Sequence, residues 1–510
     1  MLWYNQVMMK KLKIIFTLLI FCLILMPAFA IHEHDDDEHD KLFEPVNIKD
    51  GSNLSVFECV AAAFQNSPKI RRQKYNLDIA KSNLGTAKSV YFPVLSAGVG
   101  FINENNSSSI YHDTHYRELP NVGITVNQLI YNFGKSTAFI KMEEFNKIAA
   151  EYEFMDSLCE ALFDIKDKYY KLLKAKAMLE TASDDVKISE HFLKISTKKP
   201  DRLTAEVNLS ESQINYIEAK NNYDNAKIDL TNEMYLDKDY NYTISDTSTF
   251  TYDDDFDFLK KEPDIREFNP VKFGFTLEEA PVIAYKNSPD LRILAATKKA
   301  MEQALKYVKK TYLPDLTGTV GYNYGNIKNN LEKRASNNGL QAGVNLTSDV
   351  NIKELYHGIK GADAQLKMAD NEIDLFKQDL FFEIKRAFNN TEKSIKQITI
   401  AQAQAKQAFY TLKSVINEYK NGEVDYTALQ DARKDFTSAE EAYINSLYDY
   451  NLALIQVEMA MHMHIVDIHH KSEHAMRYHA NELLEHINKA LACDETETKK
   501  NRHKDLEEDL

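Results

Sequence analysis

The sequence predicts an α+β membrane protein built from two copies of one unit, in which two β-strands are followed by a very long α-helix. The first observation is a duplication, because residues 54–101 and 275–322 align at one constant offset without a gap. The second is a change of hydrophobic period from about 3.6 to 2 after a proline in each copy. The third is the scarcity of helix-breaking residues, 15 glycines and 11 prolines in 510 residues, which favours long helices.

The amino terminus is typical of a secretory signal peptide. Lysines precede an apolar run from Ile14 to Leu25, and Ala28-Phe29-Ala30 supplies a small-residue cleavage site. The run is too short for a stable membrane-spanning helix. Cys22 would suit lipid attachment, but the bulky Phe21 precedes it where a small residue is expected. We therefore expect residues 1–30 to be removed and the remaining chain to be exported.

The composition divides the exported chain into five segments. These are an acidic, His-rich lead (31–53), a first structural repeat (54–236), an inter-repeat connector (237–272), a second structural repeat (273–466) and a His-rich C-terminal tail (467–510). No segment after the signal peptide reaches the roughly eighteen apolar residues that a membrane helix needs. The net charge of −15 argues against nucleic acid as a partner.

Each repeat begins with the signals of two consecutive helices. Ser55 and Glu58 form a capping-box pattern before a short apolar-periodic stretch, and Thr276 and Glu279 repeat it in the second copy. An Asn-Ser-Pro sequence then ends this short helix and places a proline near the start of the next one. Pro281 departs from the symmetry and is expected to distort the short helix of the second copy.

Four predicted strands follow, two in each repeat. Hydrophobic residues alternate with small polar ones over 95–101, 122–127, 316–324 and 340–347. Such alternation usually indicates an antiparallel sheet packed on a soluble core. Here the polar faces consist of glycine, serine, threonine and asparagine rather than charged residues. That composition favours the lumen of a membrane barrel, with the apolar face toward lipid.

A very long helix follows each pair of strands, and a shorter helix returns. Residues 135–197 contain no proline or glycine, and residues 353–420 contain two glycines near their start, so each helix would reach roughly 95–100 Å. Returning helices are predicted over about 202–236 and 426–463. Periodicity leaves an ordinary helical bundle open as an alternative. Because four strands cannot close a barrel in lipid, the membrane interpretation requires several subunits to pool their strands.

Several motifs, two of them present in both copies, carry a resemblance to a known family. They are the duplicated helix openings, the Tyr-Phe-Pro-Val-Leu and Tyr-Leu-Pro-Asp-Leu junctions at 91–95 and 312–316, the Gln-Leu-Ile-Tyr-Asn-Phe-Gly segment at 128–134, and Tyr419-x-x-Gly422 followed by Leu429-x-Asp431-Ala432-Arg433. Over about residues 54–466 the chain resembles the TolC-type outer membrane efflux and secretion channels.

The resemblance implies a homotrimer in the outer membrane of a Gram-negative bacterium. Its 12-stranded β-barrel would lie in outer membrane lipid, above a long α-helical barrel that extends into the periplasm. A periplasmic adaptor protein and an inner membrane pump would be its partners. Such a channel catalyses no reaction and requires no cofactor.

The resemblance also implies a gate at the periplasmic ends of the long helices, which close like an iris and open when the partner complex forms. Tyr419 aligns with a tyrosine that helps to hold the closed state, and Gly422 suits the turn beside it. Asp431 aligns with an acidic aperture position, although the alternative is an ordinary solvated helix residue. Two departures predict a weaker acidic ring and a different closing contact: Ala428 replaces an aspartate and Val424 an arginine.

The turns between the long and the returning helices are the predicted docking site for the adaptor. In the first repeat this turn contains Lys198, Lys199 and Pro200. In the second repeat it contains Asn421 and Glu423, on either side of the glycine.

Histidines at both ends of the exported chain are the weak candidates for metal ligands. His32, His34 and His39 alternate with carboxylates in the lead, and His470 and His474 have the spacing of one helix face. Because there is no fixed multi-ligand spacing, a disordered acidic lead and a solvated amphipathic tail are the favoured explanation of these residues.

Two functions are compatible with the sequence. The first is a transport channel, the exit duct for efflux and/or type I secretion. The second is a structural or adhesive trimeric coiled-coil protein of the outer membrane, without transport. Adhesins usually carry one group of strands and a passenger domain, so the duplicated unit favours the channel. The sequence contains no serine elbow, phosphate loop or zinc-protease motif, which argues against an enzyme.

Overall fold

The structure, a computed structural model, describes residues 48–107, 114–236, 240–244, 275–328 and 334–462. The predicted signal peptide, the proposed histidine ligands at both ends and most of the connector lie outside these residues. Among the residues described, no group of three or more His, Cys, Asp or Glu side chains is placed to hold a metal ion.

The order and type of the predicted elements are confirmed in both repeats. The first repeat contains β1 (Asn53–Leu54), α1 (Val56–Asn66), α2 (Pro68–Lys88), β2 (Val94–Ser107), β3 (Thr114–Tyr131), α3 (Lys135–Ile195) and α4 (Lys199–Glu233). The connector contains β4 (Thr243–Ile244), and the second repeat contains α5 (Ala280–Asn287), α6 (Pro289–Lys310), β5 (Asp315–Lys328), β6 (Arg334–Thr347), α7 (Ile352–Asn421) and α8 (Tyr426–Met461). The long helices α3 and α7 end within two residues of their predicted bounds. In the described part of the chain, no helix combines the length and hydrophobicity needed to cross a bilayer.

The predicted distortion of the second short helix has a local cause. The capping box of α1 is closed by reciprocal hydrogen bonds of 2.8 and 3.3 Å. Thr276 and Glu279 form the same pair of bonds at 2.8 and 3.3 Å, yet α5 begins only at Ala280. Pro281 has no N–H to donate to the carbonyl of Leu277, so the first turn stays outside the α-helix.

The four long strands form one antiparallel sheet in the order β2-β3-β5-β6. The register pairs Leu95 with Val126 and Val126 with Val320, which places these three apolar side chains on one face. Thr125 lies opposite Gly321 in the same strands, on the other face. The predicted separation into one apolar and one polar face is therefore confirmed. Within the described chain, β2 and β6 each pair with a single strand.

The junction between β3 and α3 explains the Gln-Leu-Ile-Tyr-Asn-Phe-Gly motif. Asn132 contacts Ser136 through two hydrogen bonds, of 2.5 Å to its hydroxyl and 3.3 Å from its N–H. Gly134 adopts a φ of +80°, in the left-handed region that favours glycine, and α3 begins at the next residue. The ammonium group of that residue, Lys135, donates to the carbonyl of Leu313 at 2.9 Å. This contact fixes the first residue of α3, at the end of the helix next to the sheet, to the second repeat.

The helices form a layer whose order matches that of the strands. Helix α3 packs against α2 and α4, and also against α6 and α8, while α7 packs against α6 and α8. Asn66 Nδ2 donates to the carbonyl of Met234 at 3.4 Å, so the end of α4 meets the start of α2. Together α2 and α4 form one edge of the layer, and α7 forms the other.

Both edges of the helix layer carry exposed apolar side chains at helical spacing. On α4 these side chains lie opposite its buried residues, and they are Leu203, Val207, Ile214, Ile217 and Ile228. On α7, Met368, Leu375 and Phe382 recur every seven residues. Exposed apolar residues in such a repeat are typical of a surface that packs against another helix.

A partly buried carboxyl group lies where α3 packs against α6. Burial raises the pKa of Asp156 from its usual 3.8 to about 7, and the nearby Asp290 carboxylate adds to this shift. At neutral pH the folded protein therefore holds a group whose ionisation is opposed by its surroundings.

Asp156→Asn should stabilise the protein at pH 7 and leave its stability near pH 4 unchanged. Because the folded-state pKa lies above the unfolded one, the wild-type contribution is present below about pH 4 and is lost as the pH rises to about 7. We expect a gain of about 1–2 kcal/mol at pH 7, less than the full shift because solvent screens a partly buried group. Urea unfolding of the detergent-solubilised protein at both pH values measures it. The exposed Asp224→Asn is the control, and an equal gain at the two pH values would contradict the assignment.

Candidate gating site at the helix tips

The lower ends of four helices pack into one apolar cluster. Its buried members come from the ends of α3 and α7 and the starts of α4 and α8, and they are Ile188, Phe192, Ala205, Phe409, Leu412, Ile416, Tyr426, Leu429, Ala432 and Phe436. The rings of Phe409 and Phe436 lie 5.9 Å apart between centroids. The α3–α4 turn and the α7–α8 turn are therefore held side by side.

The α7–α8 turn is formed by backbone geometry that requires glycine. Gly422 ends α7 with a φ of +79°, in the left-handed region where a side chain would be strained. The N–H of Glu423 donates to the carbonyl of Glu418 at 2.9 Å, which closes the end of α7. Asp425 then caps α8 by accepting the N–H of Ala428 at 3.0 Å. These contacts define a short, rigid turn.

The two turns carry opposite charge. The α3–α4 turn (194–202) contains one acidic and four basic residues, and the basic ones, Lys194, Lys198, Lys199 and Arg202, are all exposed. The α7–α8 turn (418–425) contains one basic residue and three acidic ones, Glu418, Glu423 and Asp425. Burial, together with Lys420 and Lys194, lowers the pKa of His191, so this histidine stays neutral at the base of the turns.

A side-chain hydrogen bond joins the two turns directly. The hydroxyl of Tyr419 donates to Asp201 Oδ2 at 3.1 Å, and the Tyr419 ring packs edge-on against Tyr426 with centroids 6.1 Å apart. Burial raises the pKa of Tyr419 above its usual value, and the Asp201 carboxylate adds to this shift. The tyrosine therefore keeps its proton and acts as the donor. Asp201, in the first turn of α4, is a partner that the motifs do not reveal.

Asp431 lies apart from this contact. Its side chain is exposed, whereas Arg433, two residues later, is buried, so the two occupy opposite sides of α8. Ala428 and Val424, the departures from the family pattern, are both half-buried. In the single chain, Tyr419 and Gly422 thus come together at the turn, while Asp431 occupies the exposed face of α8.

A buried ionic network joins α8 to the helical hairpin formed by α3 and α4. It lies on the side of the turns that faces the sheet. Arg433 Nη1 lies 2.9 Å from Asp185 Oδ2, with 5% and 8% of the two side chains exposed. The same nitrogen lies 2.6 Å from the hydroxyls of Ser189 and of Ser212. Ser212 donates to Asp185 at 2.6 Å, and Thr437 donates to it at 2.9 Å. The charge pair is therefore almost fully shielded from water and surrounded by hydroxyl groups.

Further polar contacts connect α4 and α8 between this network and the turns. Gln430 donates to Asn208 Oδ1 at 2.8 Å, and Asn208 donates to the hydroxyl of Tyr426 at 3.3 Å. At the level of the network, the exposed Lys434 and Glu211 form an ion pair of 3.3 Å. The two hairpins are thus connected at successive levels along the helices.

Comparison with known proteins concerns both the sequence and the fold. A family model described as "Outer membrane efflux protein" matches residues 60–234 and 280–461. No curated protein matches significantly. The fold is similar to that of the Campylobacter jejuni CmeC outer membrane channel, with 17% identity over 87% of this chain and 95% of that chain and a TM-score of 0.65.

Two further solved structures give the same result. The outer membrane protein VceC from Vibrio cholerae shares 13% identity over 80% of this chain and 95% of that chain, with a TM-score of 0.64. The open state of the Neisseria gonorrhoeae MtrE outer membrane channel shares 14% identity over 80% of this chain and 89% of that chain, with a TM-score of 0.64. These matches confirm the resemblance that the motifs indicate.

Arg433→Met should destabilise the helix tips more than Tyr419→Phe. The first variant leaves the buried Asp185 carboxylate without its cation, which costs about 3–5 kcal/mol. The second removes one partly exposed hydrogen bond, worth about 1 kcal/mol. Amide hydrogen exchange of residues 426–440, followed by mass spectrometry, measures the difference. Arg433→Met combined with Asp185→Leu is the control, and it should recover most of the loss. Equal protection in both single variants would refute the role of the network.

Proposed function

Since the chain belongs to the outer membrane efflux protein family, we propose that it forms a trimeric channel-tunnel, the exit duct for efflux and/or type I secretion. The chain is an efflux-type channel of the outer membrane, related to the TolC family. In the proposal its signal peptide directs export, its sheet lies in lipid and its helices extend into the periplasm. A periplasmic adaptor protein and an inner membrane pump complete the transport path.

The observation that carries this proposal is that the sheet and the helix layer are open at matching edges. Strand β2 at one edge is joined to α2, and β6 at the other edge is joined to α7. Because neighbouring strands alternate in direction, β6 of one subunit would pair with β2 of the next in the same antiparallel manner. Three such sheets would close a ring of twelve strands and leave no edge exposed to lipid.

The apolar stripes on the outer helices support the same assembly. Within a ring, α4 of one subunit would lie beside α7 of the next, so the two stripes would cover each other. The contact is heterologous, and such contacts generate closed rings when the rotation closes. The apolar face of the sheet would then face lipid, and its glycine, threonine and asparagine face would line the lumen.

The helix tips supply the gate and the docking surface of the proposal. The hydrogen bond between Tyr419 and Asp201 holds the two turns together in one chain, and Gly422 sets the shape of the second turn. Asp431, on the exposed face of α8, would contribute to an acidic ring around the axis. Exposed tip residues would meet the adaptor: Lys198, Lys199, Pro200, Asn421 and Glu423.

Val207→Lys combined with Ile214→Lys should prevent trimer formation. Two charges would then be buried in the contact between α4 and the neighbouring α7, at a cost of several kcal/mol per contact. Light scattering of the detergent-solubilised protein should change from trimer to monomer. Asn215→Lys, at an exposed position away from the stripe, is the control. A double variant that remains trimeric would exclude this surface as the interface.

Asp431→Asn should lower cation preference while leaving the gate closed. Tyr419→Phe loses about 1 kcal/mol per subunit, so three coupled copies favour the open state by a few kcal/mol. In the Tyr419→Phe background, which opens the pore, Asp431→Asn should reduce cation selectivity and block by multivalent cations in planar bilayers. Unchanged selectivity and block would remove Asp431 from the aperture. If none of the tip variants conducts, the adhesive alternative is favoured.

A further inference from the structure

We propose that the buried network around Arg433 is the fixed pivot of the gate, above which the helices stay packed and below which the tips separate. The proposal rests on the proposed channel function and adds to it a positioning role for Arg433 and Asp185. It assigns different tasks to two levels of contact between the α3–α4 hairpin and the α7–α8 hairpin. The lower level is the contact between the turns, and the upper level is the Arg433 network. The lower level opens, and the upper level limits how far the opening extends.

The position of the network supports this division. Ser189 lies seven residues before Ser196, the residue that caps the end of α3. Arg433 lies seven residues after Tyr426, the first residue of α8. At 1.5 Å per residue, the network is about 10 Å above the turns on both hairpins. The helix segments below it therefore form a short lever with the hydrogen bond of Tyr419 at its end.

The strength of the contacts supports the same division. Below the network, Tyr419 bonds to Asp201 and Asn208 forms neutral hydrogen bonds. Apolar packing around Tyr426 and Leu429 completes these lower contacts, none of which is an ion pair. The network instead joins Arg433 to Asp185, Ser189 and Ser212 through one nitrogen atom. Opening at this level would therefore require an ion pair and several hydrogen bonds to separate together. When the tips are pulled apart, the lower contacts break first.

The connectivity explains why the network can hold three helices at once. Asp185 and Ser189 belong to α3, Ser212 to α4, and Arg433 to α8. A single guanidinium group thus fixes the returning helix of the second repeat to both helices of the first. Helix α7 contributes Tyr419, at its last turn, to the polar contact that closes the tip.

Chemical linkers at the two levels test the pivot. The upper pair is Glu211→Cys with Lys434→Cys in the Tyr419→Phe background, at an exposed ion pair beside the network. The lower pair is Asp201→Cys with Tyr419→Cys, at the tip. Both are made in a chain whose Cys159 and Cys493 are serine, joined with a short bis-maleimide and recorded in planar bilayers. Each single cysteine variant treated with the same reagent is the control.

The pivot predicts that the lower linker abolishes the conductance and that the upper linker leaves it unchanged. An upper linker that blocks the pore as fully as the lower one would overturn the proposal, because the network would then have to separate during opening. If the unlinked Tyr419→Phe channel conducts nothing, the proposed function fails instead.

A second variant separates the pivot from simple stabilisation of the fold. Arg433→Ala with Asp185→Ala removes both charges, leaves no uncompensated charge and, unlike Met with Leu, does not restore packing between the helices. Added to the Tyr419→Phe background, it should let the opening extend past the network, so the previously silent upper linker should now reduce the conductance. If the upper linker stays silent in this variant, the charge pair does not set the limit of the opening and the proposal is wrong.

Discussion

The backbone N–H and C=O groups on the outer sides of β2 and β6 must find partners wherever this sheet is surrounded by lipid. A four-stranded sheet cannot satisfy them within one chain, so this requirement determines how the rest of the molecule is arranged. The helices continue the order of the strands, with α2 and α4 below one open edge and α7 below the other. The exposed apolar stripes lie on those outer helices, α4 and α7, and in the proposed trimer they would be the complementary surfaces of neighbouring subunits.

The duplication produces similar architecture with different chemistry at the tips. Both repeats contain a pair of strands, a long helix and a returning helix, and both begin with the same capping box. The buried ion pair at the tips takes its acid, Asp185, from the first repeat and its base, Arg433, from the second. The internal symmetry thus ends where the two hairpins must hold each other.

The sequence was sufficient for the elements and insufficient for the contacts between them. The absence of proline and glycine predicted α3, and alternation of apolar with small polar residues predicted the strands, because both signals are local. Asp185 and Arg433 lie 248 residues apart, so their pairing depends on the packing of the hairpins. A signal was nevertheless present. Asp185 falls in the apolar phase of α3 with Ala182 and Ile188, as Arg433 does in α8 with Leu429 and Phe436.

The opposite charge of the two turns has a consequence for symmetry. In a ring of three subunits, six turns would alternate between basic and acidic around the axis. A partner that recognises charge would therefore meet two classes of three turns, and not six equivalent ones. The hairpins of such a partner would therefore bind as three pairs, with one hairpin of each pair at a basic turn and the other at an acidic turn. The assembly would have threefold and not sixfold order.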